Sequence, residues 1–163
     1  MRRLVGAVTA AAALAWASAA SAACSVGIAG EIKLALSRGL PVIEAVLEGK
    51  PAKLILGVGD PLSSLSKAAT ERLGFTTVSV PLTAYVGAEQ ISARAAMARS
   101  TLAGVNVGSV AYLVHPGEKV LPEGIDGIFA TGALRNFDIE LDLPYGVLRV
   151  PKPQDCGGGS LAY

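Results

Sequence analysis

The sequence predicts a mostly β fold, closed or sandwich-like, with one or two short helices. Three features carry this. Short segments alternate apolar and polar residues, Gly- and Pro-containing turns separate them, and only one stretch has clearly helical apolar spacing.

The first residues are a leader by composition. Arg2 and Arg3 precede an alanine-dominated apolar run from Leu4 to Ala20, and the small residues Ala20-Ser21-Ala22-Ala23 follow. A positive region, an apolar region and a small-residue cleavage site are the three parts of a secretory signal. The expectation is a cleaved leader over residues 1–22 and a periplasmic or secreted domain with no stable membrane span left. An apolar run near twenty residues is also long enough to span a bilayer, but alanine is a weak membrane residue. Cys24 raises lipoprotein anchoring as a lesser alternative, since Ser21 stands where that motif wants a leucine-like side chain.

Only two cysteines exist, Cys24 and Cys156, near opposite ends of the mature chain. In an oxidising compartment an even pair reads as a disulfide. Closing so long a loop is worth up to about 4–5 kcal/mol in chain entropy. The chain has 14 Lys+Arg against 13 Asp+Glu. Losing Arg2 and Arg3 with the leader brings the charge to about −1, which gives no case for nucleic acid or an acidic membrane as partner. His115 is the single histidine and no Cys/His cluster exists, so neither a zinc-type site nor any other metal or cofactor is expected. Before Pro116-Gly117, His115 reads as a solvated loop residue.

After an N-terminal strand region over residues 23–39, in which Ile32, Leu34 and Leu36 alternate with polar neighbours, Pro41 opens a strand. Its Ile43, Ala45 and Leu47 share one face. Gly49-Lys50 turns the chain into Ala52 to Leu56, whose continuous apolar end suits a buried strand. Gly57-Val58-Gly59-Asp60-Pro61 interrupts it. Ser66 then N-caps a helix with Leu65, Ala69 and Leu73 on one face and Gly74 as the stop. An extended pattern resumes from Thr76 through Tyr85-Val86-Gly87. Ser92 to Leu102 permits helix or strand, Gly104 to Gly108 reads as a turn region, and Val110, Tyr112 and Val114 alternate as a strand. Ile139, Leu141 and Leu143 oppose Asp138, Glu140 and Asp142, a stripe read as a solvated sheet face. Pro144-Tyr145-Gly146 turns into Val147 to Val150, and residues 152–163 form a flexible, glycine-rich tail.

The order of these segments resembles a retropepsin-like aspartic protease domain. In that family a hairpin leads into a buried strand ending in Asp-Thr/Ser-Gly-Ala. A Ser-x-Leu-Ser segment, a helix ending Leu-Gly, a flap hairpin and an Asp-Gly-Ile-Leu-Gly strand follow. Gly49-Lys50, Leu54-Ile55-Leu56, Ser63-Ser64-Leu65-Ser66, Leu73-Gly74, Tyr85-Val86-Gly87-Ala88 and Asp126-Gly127-Ile128-Phe129 fit in that order. Leu134 and Phe137 to Asp142 match the tail. The resemblance implies a single-lobe closed β-barrel over residues 40–151, and a homodimer that completes the cleft; a terminal disulfide leaves a monomer as the alternative.

The resemblance breaks at the catalytic motif. Asp-Thr-Gly-Ala falls on Gly57-Val58-Gly59-Asp60, where only Gly59 matches, and Ala130 stands for a glycine of the second signature. The family holds two carboxylates face to face on a shared proton, one from each chain. Gly57 offers none. The expectation is therefore a non-catalytic domain whose cleft, with Gly57 and Gly59 on its floor and Tyr85, Val86 and Gly87 in its flap, binds an extended peptide or protein segment. The alternative is an active protease using a displaced Asp60 or a partner's carboxylate; the plain reading of Asp60 is a turn-former before Pro61.

Overall fold

The computed structural model describes residues 25–86, 89–115 and 121–154. The leader, Cys24, Cys156, Gly87 and residues 155–163 of the expected tail lie outside them, whereas 152–154, also expected in that tail, are strand. The chain divides into a compact unit, Ile28–Lys152, and a second comprising the segments beyond it, of which only residues 25–27 and 153–154 are described.

A ring of six strands closes the expected barrel. The strands are β1 (Ser25–Lys33), β2 (Ala35–Ser37), β3 (Leu40–Leu47), β4 (Lys50–Gly57), β5 (Ser63–Ser66), β6 (Val78–Val86), β7 (Glu89–Leu102), β8 (Val105–His115), β9 (Gly127–Ala130), β10 (Glu140–Asp142) and β11 (Val147–Gln154). The larger sheet runs β2-β3-β4-β9-β5-β8-β7-β6, and a further β3–β7 pairing joins its ends into the ring β3-β4-β9-β5-β8-β7. Within it β4–β9 and β5–β8 are parallel. The smaller sheet runs β1-β11-β10, so strands from the two ends of the domain pair with each other.

Local chemistry sets the hairpins. Glu48 and Gly49 both have positive φ, 46° and 79°, the type I′ geometry whose twist matches the flanking strands. Leu47 consequently pairs with Lys50, which is the first residue of β4 rather than part of the turn. Glu48 is an unusual residue at positive φ, and its carboxylate is fastened: Arg99 donates to it from its backbone N at 2.8 Å and from its guanidinium at 3.1–3.4 Å. Arg38-Gly39 and Ala103-Gly104 repeat the same turn. The turn after β7 is therefore only two residues long. Val105 already belongs to β8, contrary to the longer turn region expected over Gly104 to Gly108. The ambiguous Ser92 to Leu102 stretch is strand, because β6, β8 and β3 pair with it, and its Ala98 and Leu102 reach the core.

The core fills the barrel with the faces that alternation predicted. Ile43, Ala45, Leu47, Leu54 and Leu56 from the β3–β4 hairpin meet Leu65, Ala69 and Leu73, all buried. The helix carrying the last two, α1 (Lys67–Arg72), is capped as expected: the Ser66 hydroxyl accepts from Ala69 N at 3.0 Å. Lys50 closes its other end, its Nζ donating to Leu73 O at 2.5 Å. A 3-10 helix, Thr131–Leu134, follows β9 and buries Leu134. Leu36 departs from expectation. It alternates with the partly buried Ile32 and Leu34 but is 69% exposed, on a three-residue edge strand that pairs on one side only, with β3. The acidic stripe near the C-terminus is partly offset by one cation: Arg149 contacts Glu31 at 2.8 Å, Glu140 at 2.9 Å and Asp142 at 3.5 Å, and Leu143 opposite is exposed. Among the described residues no helix is long and apolar enough to cross a membrane.

Among the described residues, Tyr112 is the one titratable group inside the core. It is fully buried, its ring centroid lies 6.5 Å from that of Phe129, and its hydroxyl sits 2.9 Å from Ser100 Oγ. Burial pushes its pKa up to about 12, with the Ser100 hydrogen bond opposing. A phenol in the unfolded chain ionises near pH 10. The raised folded value means stability is fully present below that pH and is lost as pH climbs towards about 12, by at most about 2–3 kcal/mol. Alkaline unfolding should steepen over this interval, and Tyr112→Phe should flatten the curve there. Unchanged alkaline stability in that variant would show that the phenol does not carry the effect.

Candidate functional site

Two strands deliver the site from opposite sides of a shared neighbour. β4 ends at Gly57, a loop covers residues 58–62, and β5 begins at Ser63. β9 runs parallel to β4, with Gly57 opposite Ala130, and antiparallel to β5, with Ser64 opposite Ile128. The loop thus sits at the ends of two strands held by a third. Ser63 fixes the arrangement: its buried hydroxyl accepts from Ala130 N at 3.0 Å. Asp126, just before β9, ties the far end down. Its Oδ2 accepts from Lys53 N at 2.8 Å, and its other oxygen meets Arg72 at 2.7 Å.

The loop folds back on Gly57. Asp60 N donates to Gly57 O at 3.4 Å, and Gly59 has φ +93°. This turn places the Asp60 carboxylate directly over the Gly57 backbone. A Cβ built on Gly57 would collide with Asp60 Oδ2, would stand 2.9 Å from Asp60 Cγ and would stand 2.7 Å from Ile128 Cγ2. The space that a side chain at position 57 would occupy is held by the side chain of residue 60. Gly57 is buried and Asp60 is exposed, so the carboxylate covers the floor and faces solvent. Val58 and Leu62 flank it with side chains 68% and 48% exposed.

The structure thus brings Gly57, Gly59 and Asp60 together as one floor, with Val58 turned outward. Tyr85 and Val86 are the last paired residues of β6, opposite Gln90 and Glu89 in a long β6–β7 hairpin; their side chains, like Gly87, lie outside the description. His115 is not a loop residue. It ends β8, half-buried, opposite Ser66, because the β8 ladder continues one residue past Val114. Sequence reasoning missed the bracing role of Ser63, whose only signal was its place in the Ser-x-Leu-Ser segment. It also missed that Asp60 points back over Gly57, for which a side chain's direction in a turn leaves no signal. Among the described residues no group of three His, Cys, Asp or Glu side chains could hold a metal ion.

A six-stranded barrel that contains two parallel pairings and is closed by an antiparallel one, with a loop at the junction of three strands and a long β6–β7 hairpin, matches the retropepsin-like fold. A solved retropepsin-like aspartic protease from Rickettsia conorii is similar, with TM-score 0.60 and 18% identity over 80% of this chain and 96% of that one. The retroviral protease-like domain of Ddi1 from Leishmania major aligns at TM-score 0.45 and 16% identity, over 68% of this chain and 90% of that one. No protein-family model and no curated protein matches the sequence. The chain is a single-lobe domain of retropepsin-like fold.

Proposed function

We propose that this domain is half of an aspartic-type peptide hydrolase in which Asp60 supplies the carboxylate missing from position 57. The observation that carries this reading is the Asp60 side chain lying over Gly57, in the space where a side chain at the motif's first position would project. Glycine at 57 is then the condition that lets Asp60 fold back, rather than a simple loss.

An extended peptide would lie between the loop and the β6–β7 hairpin, held by main-chain hydrogen bonds. Two such domains, facing through Val58 and Leu62, would bring two Asp60 carboxylates together. One accepts a proton from water as the water oxygen bonds to the peptide carbonyl carbon; the other donates its proton to the carbonyl oxygen. Export to an oxidising compartment and a Cys24–Cys156 bridge belong to the same proposal.

A second reading, peptide binding without cleavage, is favoured by Val58. Where the family has a hydroxyl to brace the loop, this chain has an exposed apolar side chain. Incubating the mature protein with unfolded protein substrate between pH 3 and 7 separates the two. Hydrolysis predicts fragments, and Asp60→Asn should slow their appearance by about 100- to 10,000-fold, the usual range for general acid–base assistance. Saturable binding with no fragments would sink the hydrolase reading and leave the binding module.

A further inference from the structure

A second cavity lies away from the Asp60 loop. Its volume is about 390 Å³, and it is walled by α1, the residues leading into β6, the middle of β7 and the end of β8. That size suits a small organic molecule. None of Gly57, Asp60 and Ala130 lines it.

Three basic side chains from three elements open on this cavity: Lys67 of α1, Arg94 of β7 and His115 of β8. One acid, Glu71, shares it and pairs with Lys67 at 3.9 Å, with both side chains about two-thirds exposed, a pairing of little strength in water. Arg94 makes no ion pair among the described residues. It is positioned instead by Thr77: Nε donates to the Thr77 hydroxyl and Nη2 to the Thr77 carbonyl, both at 2.8 Å. Those bonds occupy one edge of the guanidinium. The fork carries five N–H donors, so the Nη1–Nη2 edge keeps two parallel donors that no described residue engages. Phe75 and Val114 line the same cavity with apolar surface.

The geometry points to a binding site for a small organic oxyanion, a carboxylate or phosphate monoester carried on an apolar body. Arg94 takes the oxyanion through two parallel hydrogen bonds, the arrangement in which arginine outperforms lysine. Lys67 adds positive field, the His115 ring offers a further polar contact, and the apolar body lies against Phe75 and Val114. The pinned guanidinium lowers the ordering cost of binding, since its orientation is set before the ligand arrives.

Titration with phenyl phosphate and with benzoate, followed by calorimetry and by the NMR signals of the His115 ring, tests this. Both probes should saturate and shift those signals. Inorganic phosphate, lacking the apolar body, should bind at least about tenfold more weakly. Arg94→Gln should weaken the organic probes by about tenfold or more, and Arg94→Lys should recover little of the loss because the fork is gone. Lys67→Gln sits at an exposed position that leaves folding intact and should weaken binding about two- to threefold through lost field. Arg135→Gln, outside the cavity, should change nothing. Absence of saturable binding by both probes overturns the proposal, as does equal affinity for inorganic phosphate, or undiminished binding in folded Arg94→Gln and Lys67→Gln.

Discussion

Gly127→Ala is expected to destabilise the domain by about 3 kcal/mol, the upper end of what overpacking a well-packed interior costs. Gly127 opens β9 between β4 and β5, and it is buried. A Cβ there would collide with the Ser64 carbonyl oxygen and stand 3.0 Å from Leu65 Cα. These are backbone atoms, so no rotamer change relieves the clash. β5 cannot retreat either. Leu65 pairs with Gly127 on one side and with Val114 on the other, and Ser66 N donates to Asp126 O at 2.8 Å. Such a loss is a large share of the roughly 5–15 kcal/mol that a domain has. Gly132→Ala is the matched control, since its Cβ would meet Pro61 O at an ordinary 3.8 Å and should cost no more than about 0.5 kcal/mol. Urea midpoints for the two variants decide the matter. If Gly127→Ala unfolds with the wild type, the close approach of β9 to β5 is wrong.

Moving the carboxylate should move the chemistry with it. On the proposed hydrolase reading, Asp60→Ala is expected to lose about 100- to 10,000-fold in cleavage rate. Combining it with Gly57→Asp should regain part of the loss: the carboxylate returns to the floor from position 57 and the clash with Asp60 is gone, while the 2.7 Å approach to Ile128 Cγ2 still limits the recovery. Gly57→Asp alone should be impaired. Its Cβ would press on Asp60 and would stand 2.7 Å from Ile128 Cγ2, and two like charges at one site favour protonating one of them. Rates on an unfolded protein substrate at acid pH give the comparison. Full activity in Asp60→Ala would remove that residue from the reaction. An exchange variant that folds, yet stays at the level of Asp60→Ala, would show that Asp60 does something other than replace the missing side chain.

Much of the barrel was legible because its strands carry period-two patterns with one face inward. Ile43, Ala45 and Leu47 alternate, and all three are buried. Ala69 and Leu73 recur at helical spacing behind the Ser66 cap and that helix forms, but Leu65, expected on the same helical face, lies ahead of the cap in β5. Where pattern was absent, prediction lost hold. Ala-rich β7 alternates too little in hydropathy to declare itself, and it became strand because β3, β6 and β8 pair with it. Leu36 follows Leu34 in alternation, yet the strand ends before a partner can cover it.

The sequence by itself determined the alternating strand faces, the turn that joins β3 to β4, the helix cap and the absence of an acidic side chain at position 57. Each is a property of a few neighbouring residues, fixed by backbone sterics and local hydrogen bonding. Only the tertiary structure decided that Asp60 covers Gly57, that Ser63 braces Ala130, and that Lys67, Arg94 and His115 share one cavity. Those juxtapositions join residues from different strands, or turn a side chain back on its own loop. They arise when β9 inserts between β4 and β5 and when β7 and β8 close the ring, which no short stretch of sequence encodes.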